Sequence, residues 1–230
     1  MAVLDGVRFV QEIQEGLKAP HRNLPEHPLI EMINRRELTR NQLKGLMIQL
    51  TLQTTDIVRW IGAMYADCPY PAVRRQIFLN LCEEELGSVS QTAAHFELCA
   101  ASARALGATD EELAAARPLP ATHRMMLHGE MCLRYRGWLA GLGSSLGVES
   151  QTPLTFKRIA AGLRAQYGLD DDALRFFDVH VTADEDHGSS MAALLIEHAT
   201  TEDLQRVARE AAWNGAECYY GMLSTYEAYQ

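Results

Sequence analysis

The segment "DDDALRFFDVHVTADEDH" (residues 170–187) opens on three acids, and its last eight positions hold five groups able to bind a metal or a proton. Acids at a helix start meet free backbone amides and the positive end of the helix dipole, so Asp170 to Asp172 mark the beginning of a helix. At about 100° per residue, His180, Asp184 and His187 then fall within roughly 60° of one another, while Glu185 and Asp186 point elsewhere. One helical face offers two imidazoles and a carboxylate. That is either a solvated acidic face or one side of a metal site.

Working outward, the punctuation is that of helices joined by short turns. Leu4 to Ala19 ends at Pro20, and a short helix follows near Leu29 to Arg35. Thr39 reads as the N-cap of a long helix to about Ala66, and Pro71 to Leu86 is halted by Gly87. A helix from Gln91 to Leu106 ends at Gly107, and Thr122 to Gly147 reads as one long helix despite its glycines. Thr152 with Pro153 suits a cap and first turn for a helix ending at Gly168, and Thr201 caps a last helix. No segment sustains the period-two alternation of a strand. The expectation is an all-α bundle of eight or nine helices in a single domain spanning residues 1–230.

Composition narrows the function. Lys and Arg total 21 against 30 Asp and Glu, a net charge of −9, which disfavours non-specific attraction to nucleic acid or an anionic membrane. No stretch approaches the ~18 apolar residues of a membrane span, and no leader pattern opens the chain, so a cytoplasmic protein with a small-molecule substrate is expected. A homodimer is compatible with this composition. The five cysteines, Cys68, Cys82, Cys99, Cys132 and Cys218, are scattered without a C-x-x-C pair and read as reduced packing residues.

A metal site needs ligands from facing helices as well. "EEELG" (83–87) supplies an acidic triplet, and His95 stands on a small, apolar helix. Glu149 closes the glycine-rich stretch "LGSSLGVE", and Asp56 is the sole acid between Glu37 and Asp67. An acid inside so apolar a helix requires a partner.

Together, "HPLIEMINRRELTRNQLKG" (27–45), "CPYPAVRR" (68–75), "EEELG…H…ALG" (83–107), "LGVESQTP" (146–153) and "YGLDDDALRFFDVHVTADEDH" (167–187) resemble the haem-oxygenase-like superfamily. The most specific element is H-x-x-x-D-x-x-H preceded by Glu149. The resemblance implies a haem-oxygenase-like helical bundle. Within the superfamily, Leu50 and Thr54 stand where the quinone-synthase branch has arginine and glutamine, and "EELG" replaces its "HDG". The match is to the non-haem di-iron oxidases and oxygenases, whose ligand pattern falls on Glu85, His95, Glu149, His180, Asp184 and His187, with Asp56 near the place of the first carboxylate. Glu84 is the close alternative to Glu85.

The resemblance implies two Fe(II) ions, or an iron–manganese pair, with dioxygen as co-substrate. The four carboxylates carry −4, which neutralises two Fe(II) ions, and hard oxygen ligands with imidazole suit iron. The reactions it implies are N-oxygenation, oxidative decarboxylation or C–C cleavage of an amino-acid-like or carboxylate substrate, in the biosynthesis of a small metabolite. Expected pocket residues are Gln53 and Trp60, Tyr135 and Trp138, and Trp213, Glu217 and Tyr220, with Arg59, Arg134 or Arg158 to hold a carboxylate. The alternatives are a cofactor-free quinone-synthase-like oxidase and a thiaminase-type hydrolase using Cys132 or Cys218 beside Glu217.

Overall fold

A computed structural model describes residues 3–229, with the backbone alone for Leu133 and residues 182–188. Among the described residues there is no strand. The helices are α1 (Gly6–Leu17), α2 (Pro28–Asn34), α3 (Arg40–Asp67), α4 (Pro71–Leu86), α5 (His95–Ala105), α6 (Asp110–Ala115), α7 (Pro120–Glu130), α8 (Trp138–Glu149), α9 (Thr152–Tyr167), α10 (Asp171–His198) and α11 (Glu202–Leu223).

Local chemistry sets most boundaries. Thr39 accepts from the Gln42 amide while the Gln42 side chain returns to the Thr39 amide, a reciprocal cap on α3. Asp170 accepts from Ala173 N and Thr201 from Leu204 N, as their sequence positions imply. Gly87 and Gly168 end α4 and α9 in the left-handed region, which glycine enters at no steric cost.

The helix count exceeds the eight or nine expected, for two reasons. A capping box, Thr109 with Glu112, starts the short α6. The 122–147 segment breaks in two: α7 passes into a π-helical turn at Met131–Tyr135, and Gly137, at φ 91°, starts the chain anew into α8. Two starts also shift. The N-cap of α9 is Gln151 rather than Thr152, and α5 begins at His95 because the chain is still turning at Gln91, whose φ is 56°.

The core is one contiguous apolar cluster running from Phe9 on α1 to Tyr226 near the C-terminus. Cys68, Cys99, Cys132 and Cys218 are buried and Cys82 is half-buried, all as free thiols. No helix among the described residues is long and apolar enough to cross a membrane.

The closest helix pair is α8 against α11. It depends on Gly143 and Gly147, one turn apart, because a Cβ at either would collide with the backbone carbonyls of Ala208 and Ala212. This contact sets the depth of α8, and with it Ser144, Ser145 and Glu149. Gly147→Ala is therefore expected to destabilise the protein by about 1–3 kcal/mol, the usual cost of overpacking, in a denaturant melt. Gly221→Ala, where the added methyl meets nothing within 4 Å, is expected to be neutral or stabilising by up to ~1 kcal/mol.

Candidate metal centre and substrate pocket

The bundle holds a pocket walled mainly by α3 and α8, with α4, α7, α9, α10 and α11 each adding one or two residues. At one side of it, ligand atoms of Glu84, His95 and His180 lie within 4.8 Å of one another, and all three residues are buried. Helix starts and stops position them. Glu84 comes from the last turn of α4 before the Gly87 stop, His95 is the first residue of α5, and His180 follows from the Asp170 cap by helical spacing.

Both imidazoles have a fixed tautomer. Glu83 accepts hydrogen bonds from the amides of Val89 (2.6 Å) and Ser90 (3.1 Å), and its Oε1 lies 3.1 Å from His95 Nε2. A carboxylate only accepts, so His95 Nε2 carries the hydrogen and donates it. In the neutral ring Nδ1 then holds the lone pair, buried and 3.1 Å from Glu84 Oε2 without an aligned hydrogen bond, so a proton or a cation at Nδ1 meets that carboxylate. His180 Nδ1 donates to the Phe176 carbonyl at 2.7 Å, which leaves its Nε2 as the coordinating nitrogen. Tying the far nitrogen of each histidine to a carboxylate or carbonyl is the usual way a protein orients metal-binding imidazoles and raises their basicity.

The electrostatics favour a cation. Burial alone would lower the His95 pKa, but the contact with Glu84, followed by that with Glu83, raises it above the usual value. Burial pushes Glu83 upward, and hydrogen bonds from Ser90, Val89 and His95 outweigh it and hold the carboxyl below its ordinary range. Two carboxylates and two oriented imidazoles form a buried, electron-rich cluster, of which Glu84 and His180 reach the pocket. The donor set of oxygen and imidazole nitrogen fits iron.

The sequence expectations divide. Glu84, not Glu85, takes the place on α4; Glu85 is exposed, because one residue along a helix turns the side chain by about 100°. Glu149 lines the same pocket. Asp184 and His187 lie outside the described side chains. Asp56 does not line the pocket: Oδ1 accepts from Arg59 and Oδ2 from Trp60 Nε1, both at 2.9 Å, on the flank of α3. The acid in an apolar helix found its partners locally.

Of the expected substrate contacts, Gln53 and Trp60 line the pocket. The others lie elsewhere. Arg59 and Arg134 are exposed and paired with Asp56 and Glu130, Arg158 pairs with Glu26, and Tyr135 is exposed in the π turn. Trp138 packs in an aromatic group with Tyr70 and His198. On α11, Trp213 donates to the Ile13 carbonyl, Glu217 pairs with Arg22, and Tyr220 packs edge-on to His21 and tilted against His27. Tyr219 is the α11 residue that reaches the pocket. Glu83 and Tyr219 went unread because a single-residue error of helical phase separates each from a neighbour of the same type.

A model of the iron-containing redox enzyme family matches residues 44–220. The chain belongs to that family. It is accordingly an oxidoreductase and an iron protein. It is 29% identical over 208 residues to the 4-aminobenzoate synthase of Nitrosomonas europaea, covering 86% of this chain and 82% of the relative. To the 4-aminobenzoate synthase of Chlamydia muridarum it is 26% identical over 221 residues, 96% and 90% of the two chains. A domain of unknown function with a heme oxygenase-like fold, from Shewanella denitrificans, superposes with a TM-score of 0.79 at 16% identity, covering 100% of this chain and 95% of that one. The fold is thus haem-oxygenase-like.

Iron content separates the two adjacent acids. After anaerobic loading with Fe(II), elemental analysis is expected to find Glu84→Gln depleted by about one equivalent and Glu85→Gln and Asp56→Ala at the wild-type level. Glu83→Gln, which loosens His95, is expected to weaken iron binding by about 10–100-fold.

Proposed function

We propose that this protein is a dioxygen-dependent di-iron oxidase or oxygenase. Its substrate is a small amino-acid-like or carboxylate metabolite, in a biosynthetic role akin to that named for its 4-aminobenzoate synthase relatives. The observation that carries this reading is the clustering of Glu84, His95 and His180 beside the pocket in a member of the iron-containing redox enzyme family. Glu149 on the same pocket, with Asp184 and His187 further along α10, would complete the set for a second ion. Asp56 is left out of it, and α3 offers the pocket Gln53 and Thr54 in place of an acid. A ferrous pair held there supplies the electrons and open coordination positions for reducing dioxygen, which amino-acid side chains lack. The chain's own residues set the orientation of the ligands and keep bulk water from them, since Ile57, Ile61, Val148 and Phe156 form the adjoining walls.

The thiol chemistry of a thiaminase-type hydrolase is disfavoured by the environment of Cys132. Its Sγ does lie 3.5 Å from His128 Nε2, the arrangement of a nucleophile and base. Burial, however, pushes the thiol up to about 11 and the imidazole down to about 4, so both are neutral near pH 7 and no thiolate forms. Burial raises Cys218 as well.

Oxygen-electrode measurements test the proposal. Fe(II)-loaded protein is expected to consume dioxygen when the right amino-acid-like compound is added, and Zn(II)-loaded protein is not. Tight zinc binding with no iron uptake would overturn it. Iodoacetamide at pH 8 is expected to leave Cys132 unmodified and oxygen uptake unchanged; inactivation that tracks Cys132 alkylation would favour the hydrolase.

A further inference from the structure

Polar groups around the pocket are almost all committed. Thr54 donates to the Leu50 carbonyl, the Ser144 hydroxyl is bonded to His128, and His180 and Glu84 belong to the metal cluster. Gln53 differs. It lines the pocket, the residue is 5% exposed, and its carboxamide has no protein hydrogen-bond partner among the described residues, yet neither amide atom is sealed from solvent. The donor and acceptor of that amide therefore face the pocket and are open to a ligand.

The pocket also lacks a cation. No lysine or arginine lines it among the described residues, and the arginines expected to hold a carboxylate are on the outer surface. An anionic group bound there by the protein's own side chains would be desolvated with no lysine or arginine to pair with. A neutral group with both a donor and an acceptor meets a matching carboxamide. Trp60 and Phe156 flank the space with aromatic faces suited to a compact ring or apolar body.

We infer that Gln53 is a specificity-determining residue that hydrogen-bonds an uncharged donor–acceptor group on a compact apolar substrate. Any carboxylate of that substrate lies outside the protein-lined part of the pocket. This rests on the reading of the pocket as the substrate site, and it deepens that reading by naming the group that enters. Gln53 is not one of the Glu84, His95 and His180 cluster, and its role is measurable by binding alone in the chelator-treated chain.

The probes are benzamide and benzoate, which share a ring and a shape and differ in charge. Titration calorimetry on the full chain after chelator treatment is expected to show benzamide binding at least fivefold tighter than benzoate. Gln53→Leu is expected to weaken benzamide by about fivefold to tenfold, in the chelator-treated chain and in the Fe(II)-loaded chain kept free of air. Benzoate affinity is expected to change by less than about twofold in Gln53→Leu, whereas a variant in which packing alone was disturbed would lose both ligands alike. Unchanged benzamide affinity in Gln53→Leu, or benzoate preferred by the chelator-treated wild type, overturns the inference. A failure of the iron reading shows separately, as absent iron uptake, and leaves this binding test intact.

Discussion

The hydrogen bond from His95 Nε2 to Glu83 is the constraint on which the site depends. It decides which nitrogen of a buried imidazole is available, and it does so from a carboxylate that two loop amides hold in place. The short loop between α4 and α5 thereby links the end of one helix to the start of the next. Glu83 ties the loop down, Glu84 faces the pocket, and Glu85 faces solvent. Three consecutive glutamates have three separate fates because a helix advances by about 100° per residue. The other neutral tautomer would place the lone pair against the Glu83 carboxylate and put the hydrogen on the nitrogen that faces Glu84.

Such a site asks much of the scaffold. Buried carboxylates are unfavourable without counter-charge, and here they are gathered rather than dispersed. Burial works against a charged His95, and the contacts with Glu84 and Glu83 outweigh it, so these carboxylates favour positive charge at the imidazole. Gln53 adds a solvent-accessible amide to the same cavity. The pocket stores unfavourable interactions that ligands relieve, the common pattern by which functional sites trade stability for binding. The rigid frame around it, above all the close contact of α8 with α11, holds these groups in position.

Much of the fold was legible in the sequence because it is written in local chemistry. Thr39, Asp170 and Thr201 cap where their side chains can reach the first amides, and Gly87 and Gly168 stop helices where a left-handed residue is needed. The break at 131–138 was not legible: a π turn depends on how two helices pack, not on a breaker residue alone. His95 and His180 were identifiable as candidate ligands from their setting. The choice of Glu84 over Glu85, and of Tyr219 over Tyr220, required helical phase to within one residue, which a sequence pattern does not provide. Asp56 was placed by a resemblance of position, and its local bonds to Arg59 and Trp60, i+3 and i+4 on the same helix, determine its fate instead. The arginines proposed for a carboxylate substrate failed for a simpler reason: long charged side chains find surface partners unless a cavity is built around them.

Anomalous scattering at the iron edge, from crystals of the Fe(II)-loaded protein, tests this account most directly. The account predicts an iron peak within bonding distance of Glu84, of Nδ1 of His95 and of Nε2 of His180, with Glu83 still bound to the opposite nitrogen of His95. A peak coordinated through His95 Nε2, a peak on Glu85 or Asp56 instead of Glu84, or no iron in this pocket at all would contradict it.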